Sequence, residues 1–128
     1  MEKDVATQLL AYNDPAGVTA SFNLNLLGRI NRELGADFDL AHFEHEARWN
    51  DGGRRIEMHL RSTQRQSVKI PAANLRVMFN QGETIWTESS HKYLPEEVVR
   101  MAERTGFRCE GQWIDGEWAF AQNLLVVA

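Results

Sequence analysis

The chain has 128 residues, 43% of them hydrophobic and 25% charged, with a formal net charge of -4 and a pI near 5.5. This length suits one domain with a core that needs no disulfides, and the acidic balance with scattered arginines argues against nucleic-acid binding. The single cysteine, Cys109, cannot form an internal disulfide, so we expect a buried thiol. Neither a signal peptide nor an apolar run of membrane-spanning length is evident, and we expect a cytoplasmic protein without a membrane partner.

The first part of the chain, residues 4–35, is predicted to form two helices. Residues 4–12 have helical apolar spacing, and the segment ends before Pro15. Asp14 is the expected N-cap of the second helix, with Pro15 at its first position and Gly35 as its stop. Asn23 lies on this helix, either at the surface or lining a site. The apolar stripe that we expect this helix to bury consists of Val18, Phe22, Leu26, Leu27, Ile30 and Leu34.

From residue 43 to about residue 93 the hydrophobic period changes to two, which predicts β-strands. Two alternating runs flank the turn signal at residues 50–53 and predict a β-hairpin. Further alternating runs follow at residues 68–79 and 82–93. We expect an antiparallel meander of about four strands with one apolar face and one solvated face.

The stretch at residues 82–93 carries the most suggestive polar pattern. Strand alternation places Trp86, Glu88 and Ser90 on one face. An ionised glutamate only accepts hydrogen bonds and a serine does either, so this face could hold a small ligand beside an aromatic wall. The alternative is the polar outer face of an edge strand.

The remaining residues, 95–128, are predicted to form a helix and a terminal hairpin. The helix opens at residues 94–97 with an early proline and two acids, and Gly106 closes it. A strand near residues 108–114 and a turn at residues 115–116 precede a final strand at residues 118–127. Because that strand is apolar on both faces, we expect it to be covered from both sides.

Other chemistry finds little support in the sequence. Among the four histidines, His42 and His45 are three residues apart, which in a strand sends them to opposite faces, so we expect no metal site. The glycines at residues 52–53 belong to the predicted hairpin turn and do not open a helix, as a dinucleotide loop would. Met58 and Trp86 are expected in the core.

Three segments together resemble a known family: AYNDPAGVTASFN at residues 11–23, RIEMHL at residues 55–60 and GETIWTESSHKY at residues 82–93. They are similar, in order and separation, to the C-terminal part of the histidine-specific, S-adenosylmethionine-dependent Nα-methyltransferases that open ergothioneine biosynthesis. The resemblance covers nearly the whole chain. It implies a single α+β domain over residues 1–128, with helices packed on a mostly antiparallel sheet. This domain would be equivalent to the C-terminal part of a class I methyltransferase with its substrate-binding insertion.

The resemblance also implies roles for four residues in binding histidine. Tyr12 matches the family's tyrosine near the amino acid head group, and Met58 matches a methionine near the imidazole ring. Glu88 and Ser90 match the pair that hydrogen-bonds the ring. In that family the α-amino nitrogen of histidine takes the methyl group from the sulfonium of S-adenosylmethionine.

The chain departs from the family in one respect. The family's Gly-rich strand-to-helix turn and its acidic ribose partner have no counterpart here, so we expect no S-adenosylmethionine binding and no methyl transfer by this chain alone. Two hypotheses follow: a substrate-binding portion that works with a separate cofactor-binding domain, or a non-catalytic small-molecule binding or regulatory module. The apolar final strand also predicts self-association.

Overall fold

The computed structural model describes residues 4–128 and has the α+β composition that the sequence predicts. Its described helices and strands are α1 Val5–Tyr12, α2 Val18–Leu34, β1 Phe43–Asn50, β2 Arg55–Ser62, β3 Gln66–Ile70, β4 Leu75–Phe79, β5 Thr84–His91, α3 Pro95–Arg104, β6 Phe107–Asp115 and β7 Phe120–Val127. All strand pairs in this range are antiparallel. No described helix has both the length and the apolar character that crossing a membrane requires.

The sheet order differs from the predicted meander. Strands β1, β2 and β5 form one sheet with β2 in the centre, while β3 and β4 form a separate hairpin. The chain therefore leaves the central sheet after β2 and returns with β5 on its other side. The β1–β2 hairpin is confirmed, and the four-strand meander is wrong because β5 hydrogen-bonds to β2 instead of to β4.

The core lies between α2, the central sheet and the β3–β4 hairpin. Three aromatic rings meet there, with the ring centre of Phe43 5.6 Å from Phe38 and 5.4 Å from Phe79. These edge-to-face contacts join β1, β4 and the loop after α2. The buried members of the core are Leu27, Phe38, Phe43, Leu60, Val68 and Phe79.

Helix α2 begins later than predicted, at Val18 instead of Pro15. Gly17 has a φ of 72°, a left-handed conformation that a helix cannot include, so the helix starts after it. The N-cap is therefore Gly17 and not, as was predicted, Asp14. The Asp14 carboxylate nevertheless accepts hydrogen bonds from the backbone N–H groups of Val18 and Thr19 at 3.0 and 2.9 Å. The bond from Thr19 is the main reason that the pKa of Asp14 falls to about 2. The helix ends at Leu34, with Gly35 as its C-cap, as predicted.

We expect Asp14→Ala to lower the Tm of the chain by roughly 3–6 °C, since the first turn of α2 loses two hydrogen bonds. Asp14→Asn retains an oxygen that can cap and should lose less. Thermal unfolding followed by circular dichroism measures both. An Asp14→Ala variant with the Tm of the wild type would show that these two hydrogen bonds do not stabilise the helix.

The predicted apolar stripe of α2 is split in the structure. Leu27 is buried, but Phe22 and Val18 are 71% and 68% exposed, and Leu26 is also exposed. Asn23 is buried instead, with 4% exposure. Adjacent helix residues are separated by about 100°, so the face that packs on β1 and β2 includes Asn23 and leaves Phe22 outside.

A β-bulge in β5 changes the predicted face assignment. Met58 pairs with Glu88 while the next residue of β2, His59, pairs with Trp86, so Thr87 is the extra residue. Its hydroxyl donates a hydrogen bond to the Met58 carbonyl oxygen at 3.0 Å. An extra residue reverses strand alternation, which puts Trp86 on the face opposite Glu88. The prediction that these two residues share a face is therefore wrong.

The C-terminal hairpin is less covered than predicted. Within the described residues, β7 pairs with β6 alone, and Leu124, Leu125 and Val127 on it are exposed. The expectation of a strand covered on both sides is wrong, because the hairpin packs mainly through β6 against α3. Cys109 on β6 is half-buried instead of buried.

Candidate functional site

Strands β2 and β5 bring three of the four predicted site residues to one face of the central sheet. Met58 lies opposite Glu88, and Ile56 lies opposite Ser90. Directly opposed residues of an antiparallel pair point to the same side, so Glu88 and Ser90 share the face that carries Ile56 and Met58. Met58 is buried, Ser90 is half-buried and Glu88 is exposed.

The fourth predicted residue, Tyr12, comes from the end of α1 and touches Ser90. The Tyr12 hydroxyl and the Ser90 hydroxyl are 2.7 Å apart, across 78 residues of sequence. The Lys92 ammonium group donates a hydrogen bond to each of these oxygens at 2.8 Å. Burial raises the pKa of Tyr12, but the hydrogen bonds with Lys92 and Ser90 and the charge of Lys92 outweigh it, and the pKa lies below its usual value.

The sequence prediction missed Lys92, although a signal for it was present. Lys92 is two residues after Ser90, so strand alternation continued past the end of β5 places both on one face. Its backbone N–H donates to the Arg54 carbonyl oxygen at 2.8 Å, which extends the pairing with the β2 side. Tyr12, by contrast, lies on a distant helix, and only the family resemblance predicted that it belongs to the same site.

A chain of hydrogen bonds that starts at the buried Asn23 holds Tyr12 in place. The Asn23 side-chain amide donates to His45 Nδ1 at 2.9 Å and to the His59 carbonyl oxygen at 3.2 Å. His45 Nε2 lies 2.7 Å from the Tyr12 carbonyl oxygen and donates to it, since that oxygen can only accept. In this arrangement Nε2 of His45 is the donor and Nδ1 is the acceptor. Helices α1 and α2 are both fixed to the sheet through this one imidazole.

Two cavities flank these residues. The first has a volume of about 290 Å³ and is lined by Phe22, Asn23, Asn25, Leu26, Arg29, Met58, Thr87 and Glu88. The second has a volume of about 510 Å³ and is lined by Thr7, Gln8, Ala11, Tyr12, Lys92, Ala119 and Phe120. Met58 and Glu88 thus face one cavity and Tyr12 the other, with the contact between Tyr12 and Ser90 joining the two groups. The first volume is near the lower end of the range of small-molecule sites, and the second lies within that range.

The opposite face of the sheet is not the solvated surface that was predicted. Glu57 and His59 are buried there, with 8% and 5% exposure. The Glu57 carboxylate accepts hydrogen bonds from His59 Nε2 at 3.0 Å, from Arg55 Nε at 2.8 Å and from the Asn50 amide at 3.0 Å. Trp86 stacks on His59 with ring centres 6.0 Å apart and is itself half exposed, so it is a cover over this network and not a core residue.

Glu57 should make the stability of the chain pH-dependent. Its hydrogen bonds, that from His59 foremost, lower its pKa from 4.5 to about 2. A carboxyl group whose pKa falls on folding stabilises the fold above its unfolded pKa, and this stabilisation is lost as the pH falls towards its folded pKa. We expect Glu57→Gln to be less stable than wild type at pH 7, with a difference that shrinks between about pH 4.5 and about pH 2.

Urea unfolding at a series of pH values measures this difference. Glu103→Gln is the control, because Glu103 is an exposed glutamate on α3. A Glu57→Gln variant whose stability runs parallel to that of wild type over this range would contradict the network.

Residues 4–128 contain no group of three or more histidine, cysteine, aspartate or glutamate side chains arranged to hold a metal ion. These residues also do not form a strand that leads through a Gly-rich turn into a helix, which is the arrangement that would hold S-adenosylmethionine. Gly52 and Gly53 lie in the turn between β1 and β2, and Gly17 joins α1 to α2. The only described strand that leads directly into an α-helix is β5, and its connection to α3 contains no glycine.

Comparison with known proteins decides the family. Residues 1–127 match the family described as histidine-specific methyltransferases, SAM-dependent. This chain belongs to that family. The match spans nearly all of the chain, as the resemblance of the three segments indicated.

Two curated relatives of this methyltransferase-family chain share close to half of its residues. Histidine N-alpha-methyltransferase of Mycolicibacterium smegmatis is 47% identical over 124 residues, which are 97% of this chain and 39% of the relative. Histidine N-alpha-methyltransferase of Mycobacterium tuberculosis is 46% identical over 122 residues, which are 95% of this chain and 38% of the relative. The chain therefore spans about two fifths of the length of these relatives.

Proposed function

We propose that this chain is the substrate-binding and C-terminal portion of an S-adenosylmethionine-dependent methyltransferase that acts on the α-amino group of histidine. The observation that carries the proposal is the 2.7 Å contact between Tyr12 and Ser90 beside Glu88. It joins α1 to β5, so residues distant in the sequence form one polar group beside the buried Met58. The curated relatives carry this activity in their names.

In this proposal the imidazole ring of histidine lies against Met58 and is held by Glu88 and Ser90. An ionised Glu88 accepts from a ring N–H, and the Ser90 hydroxyl binds the second ring nitrogen. Tyr12 contacts the amino acid head group. A ligand that covers the Glu88 carboxylate without donating to it would leave this acceptor unpaired, which discriminates against apolar amino acids.

The cofactor belongs, on this proposal, to a part of the protein outside these 128 residues. Methyl transfer requires the sulfonium carbon to be aligned with the amine, and the described residues do not form the turn that would hold the cofactor. The chain alone should therefore bind no S-adenosylmethionine and transfer no methyl group. We further propose that α3, β6 and β7 correspond to the closing elements of a class I methyltransferase sheet.

We propose that the 128 residues fold as a single domain. The Gln112 amide on β6 donates to the Pro95 carbonyl oxygen at 3.0 Å, which ties the C-terminal hairpin to α3. The larger cavity lies between Tyr12 on α1 and Phe120 on β7, so α1 and the start of β7 both border the site.

The exposed apolar residues of β7 and α2 fit the proposed need for a partner. Either a cofactor-binding domain or a second copy of the chain would cover them. Size-exclusion chromatography with light scattering tests the second case. We expect a dimer or larger species at high concentration, and a monomer throughout would exclude self-association.

The alternative is a non-catalytic small-molecule binding or regulatory module that keeps the pocket. The lack of a Gly-rich strand-to-helix turn among residues 4–128 favours it. An adjacent coding sequence with that turn would favour the methyltransferase portion, and its absence would favour the module.

Titration calorimetry of the purified chain tests the binding half of the proposal. L-histidine should bind in a saturable manner, whereas L-leucine, which has no ring N–H to donate, should not. S-adenosylhomocysteine alone should give no heat. If L-histidine and L-leucine behave alike, the pocket does not recognise an imidazole and the proposal fails.

A further inference from the structure

Lys92 is the charged side chain that, among residues 4–128, contacts both hydroxyl groups of the site. Its ammonium group donates to the Tyr12 and Ser90 oxygens and lies 4.7 Å from the centre of the Tyr12 ring. The ion pairs described for residues 4–128 do not include Lys92. The site therefore contains a half-buried cation held by two hydroxyl groups and an aromatic face, with no carboxylate paired to it.

Hydrogen-bond directions follow from the chemistry of these three groups. An ammonium group can only donate, so the oxygens of Tyr12 and Ser90 both accept from Lys92. Each hydroxyl still has one hydrogen, and one of the two lies between the oxygens. The other is left to be donated to a ligand. Glu88 on the same face, when ionised, only accepts.

A ligand that satisfies this site must offer one acceptor and one donor. A neutral imidazole does so, since one ring nitrogen accepts and the other carries hydrogen. An imidazolium ion has two donors and no acceptor, and its positive charge would lie close to the ammonium of Lys92. Glu88 accepts from either form, and its negative charge favours imidazolium, so preference for the neutral ring has to come from Lys92 and the two hydroxyl groups.

We propose that Lys92 determines specificity for the neutral imidazole ring, by fixing the hydroxyl pair of Tyr12 and Ser90 as a donor and by repelling imidazolium. This inference rests on the proposed function, because it assumes that the ring binds between Glu88 and Ser90. The other groups that bear on the pH response are Tyr12 from α1, Glu88 from β5 and His45 from β1, the last through the Tyr12 carbonyl oxygen.

Binding of L-histidine as a function of pH tests the inference. With a ring pKa of about 6.5, the neutral fraction rises about tenfold between pH 5.5 and pH 7.5. Calorimetry of wild type should show a similar, roughly tenfold gain in affinity over this range. In Lys92→Met the gain in L-histidine affinity over this pH range should fall below about threefold. The hydroxyl pair of Tyr12 and Ser90 is then no longer fixed as a donor, and the ammonium group that repels imidazolium is absent.

Lys69→Met is the matched control, because it removes the same charge from an exposed lysine on β3. This variant should show the same roughly tenfold gain in L-histidine affinity between pH 5.5 and pH 7.5 as wild type. A triazole analogue of histidine, whose ring stays neutral over this range, should bind wild type with constant affinity. Histamine, which lacks the carboxylate, should show the same pH trend as histidine. Histamine binding that is insensitive to Lys92→Met would assign Lys92 to the carboxylate and overturn the inference.

A second measurement does not depend on any ligand. The chain has two tyrosines, so in a Tyr93→Phe background the ultraviolet titration of tyrosinate reports Tyr12 alone. Lys92→Met should raise the pKa of Tyr12, and an unchanged pKa would show that the contact is absent in solution.

The two proposals fail in different ways. If L-histidine does not bind wild type at any pH, the proposed function and the inference both fail. If it binds and Lys92→Met keeps the full tenfold pH response, the histidine pocket stands and the role of Lys92 is wrong.

Discussion

Replacing Asn23 with alanine should lower the free energy of unfolding by about 2–4 kcal/mol, because it leaves one buried and one half-buried acceptor without a donor. These acceptors are His45 Nδ1 and the carbonyl oxygen of His59. The same change releases His45, whose other nitrogen holds the end of α1 at Tyr12. Urea denaturation of the purified variant measures the loss.

Asn25→Ala is the matched control, since Asn25 is an exposed asparagine two residues along the same helix. It should change the stability by less than about 0.5 kcal/mol. If both variants are equally stable, the hydrogen bonds of Asn23 contribute nothing and the account of how Tyr12 is positioned is wrong.

Glu88→Ala should weaken L-histidine binding by about 1.5–3 kcal/mol, or roughly 10- to 150-fold, because a ring N–H loses its charged acceptor. Ser90→Ala should also weaken binding, by about 0.5–1.5 kcal/mol for a neutral hydrogen bond. Calorimetric titration at pH 7.5 measures both variants against wild type.

The neighbouring serine provides a strict control for the face assignment. Ser89 pairs with Glu57 and therefore points to the opposite side of the sheet. Ser89→Ala should bind L-histidine as wild type does. Glu96→Ala, an exposed glutamate in the first turn of α3, controls for the loss of negative charge. Equal losses in Ser89→Ala and Ser90→Ala would contradict the proposed pocket.

Much of the fold could be predicted from local signals. Period-two alternation and the turn at residues 50–53 identified the β1–β2 hairpin, and Gly35 correctly marked the end of α2. The start of α2 was misplaced because proline is common both at the first position of a helix and in the turn before one. Only the positive φ of Gly17 shows that Pro15 lies in the turn. The predicted meander failed because sequence order does not determine which strand becomes the neighbour of β2.

The candidate site was predictable in part. Strand alternation alone placed Glu88 and Ser90 on one face. The structure has them on one face, because no β-bulge lies between these two residues. It misplaced Trp86 because the bulge at Thr87 has no local signature in the sequence. Burial of Glu57 and His59 was missed for a related reason. Their polar side chains are hydrogen-bonded to each other beneath Trp86, and single-strand alternation does not reveal such pairing.

The central claim is that this chain carries a histidine pocket on the face shared by Met58, Glu88 and Ser90. Nuclear magnetic resonance titration of the isotope-labelled chain with L-histidine tests it most directly. We expect saturable shifts in the Met58 methyl group and in the backbone amides of Glu88 and Ser90. Shifts centred instead on the cavity beside α3 that Arg54, Arg100 and Arg104 line, or no saturable shifts at all, would contradict the claim.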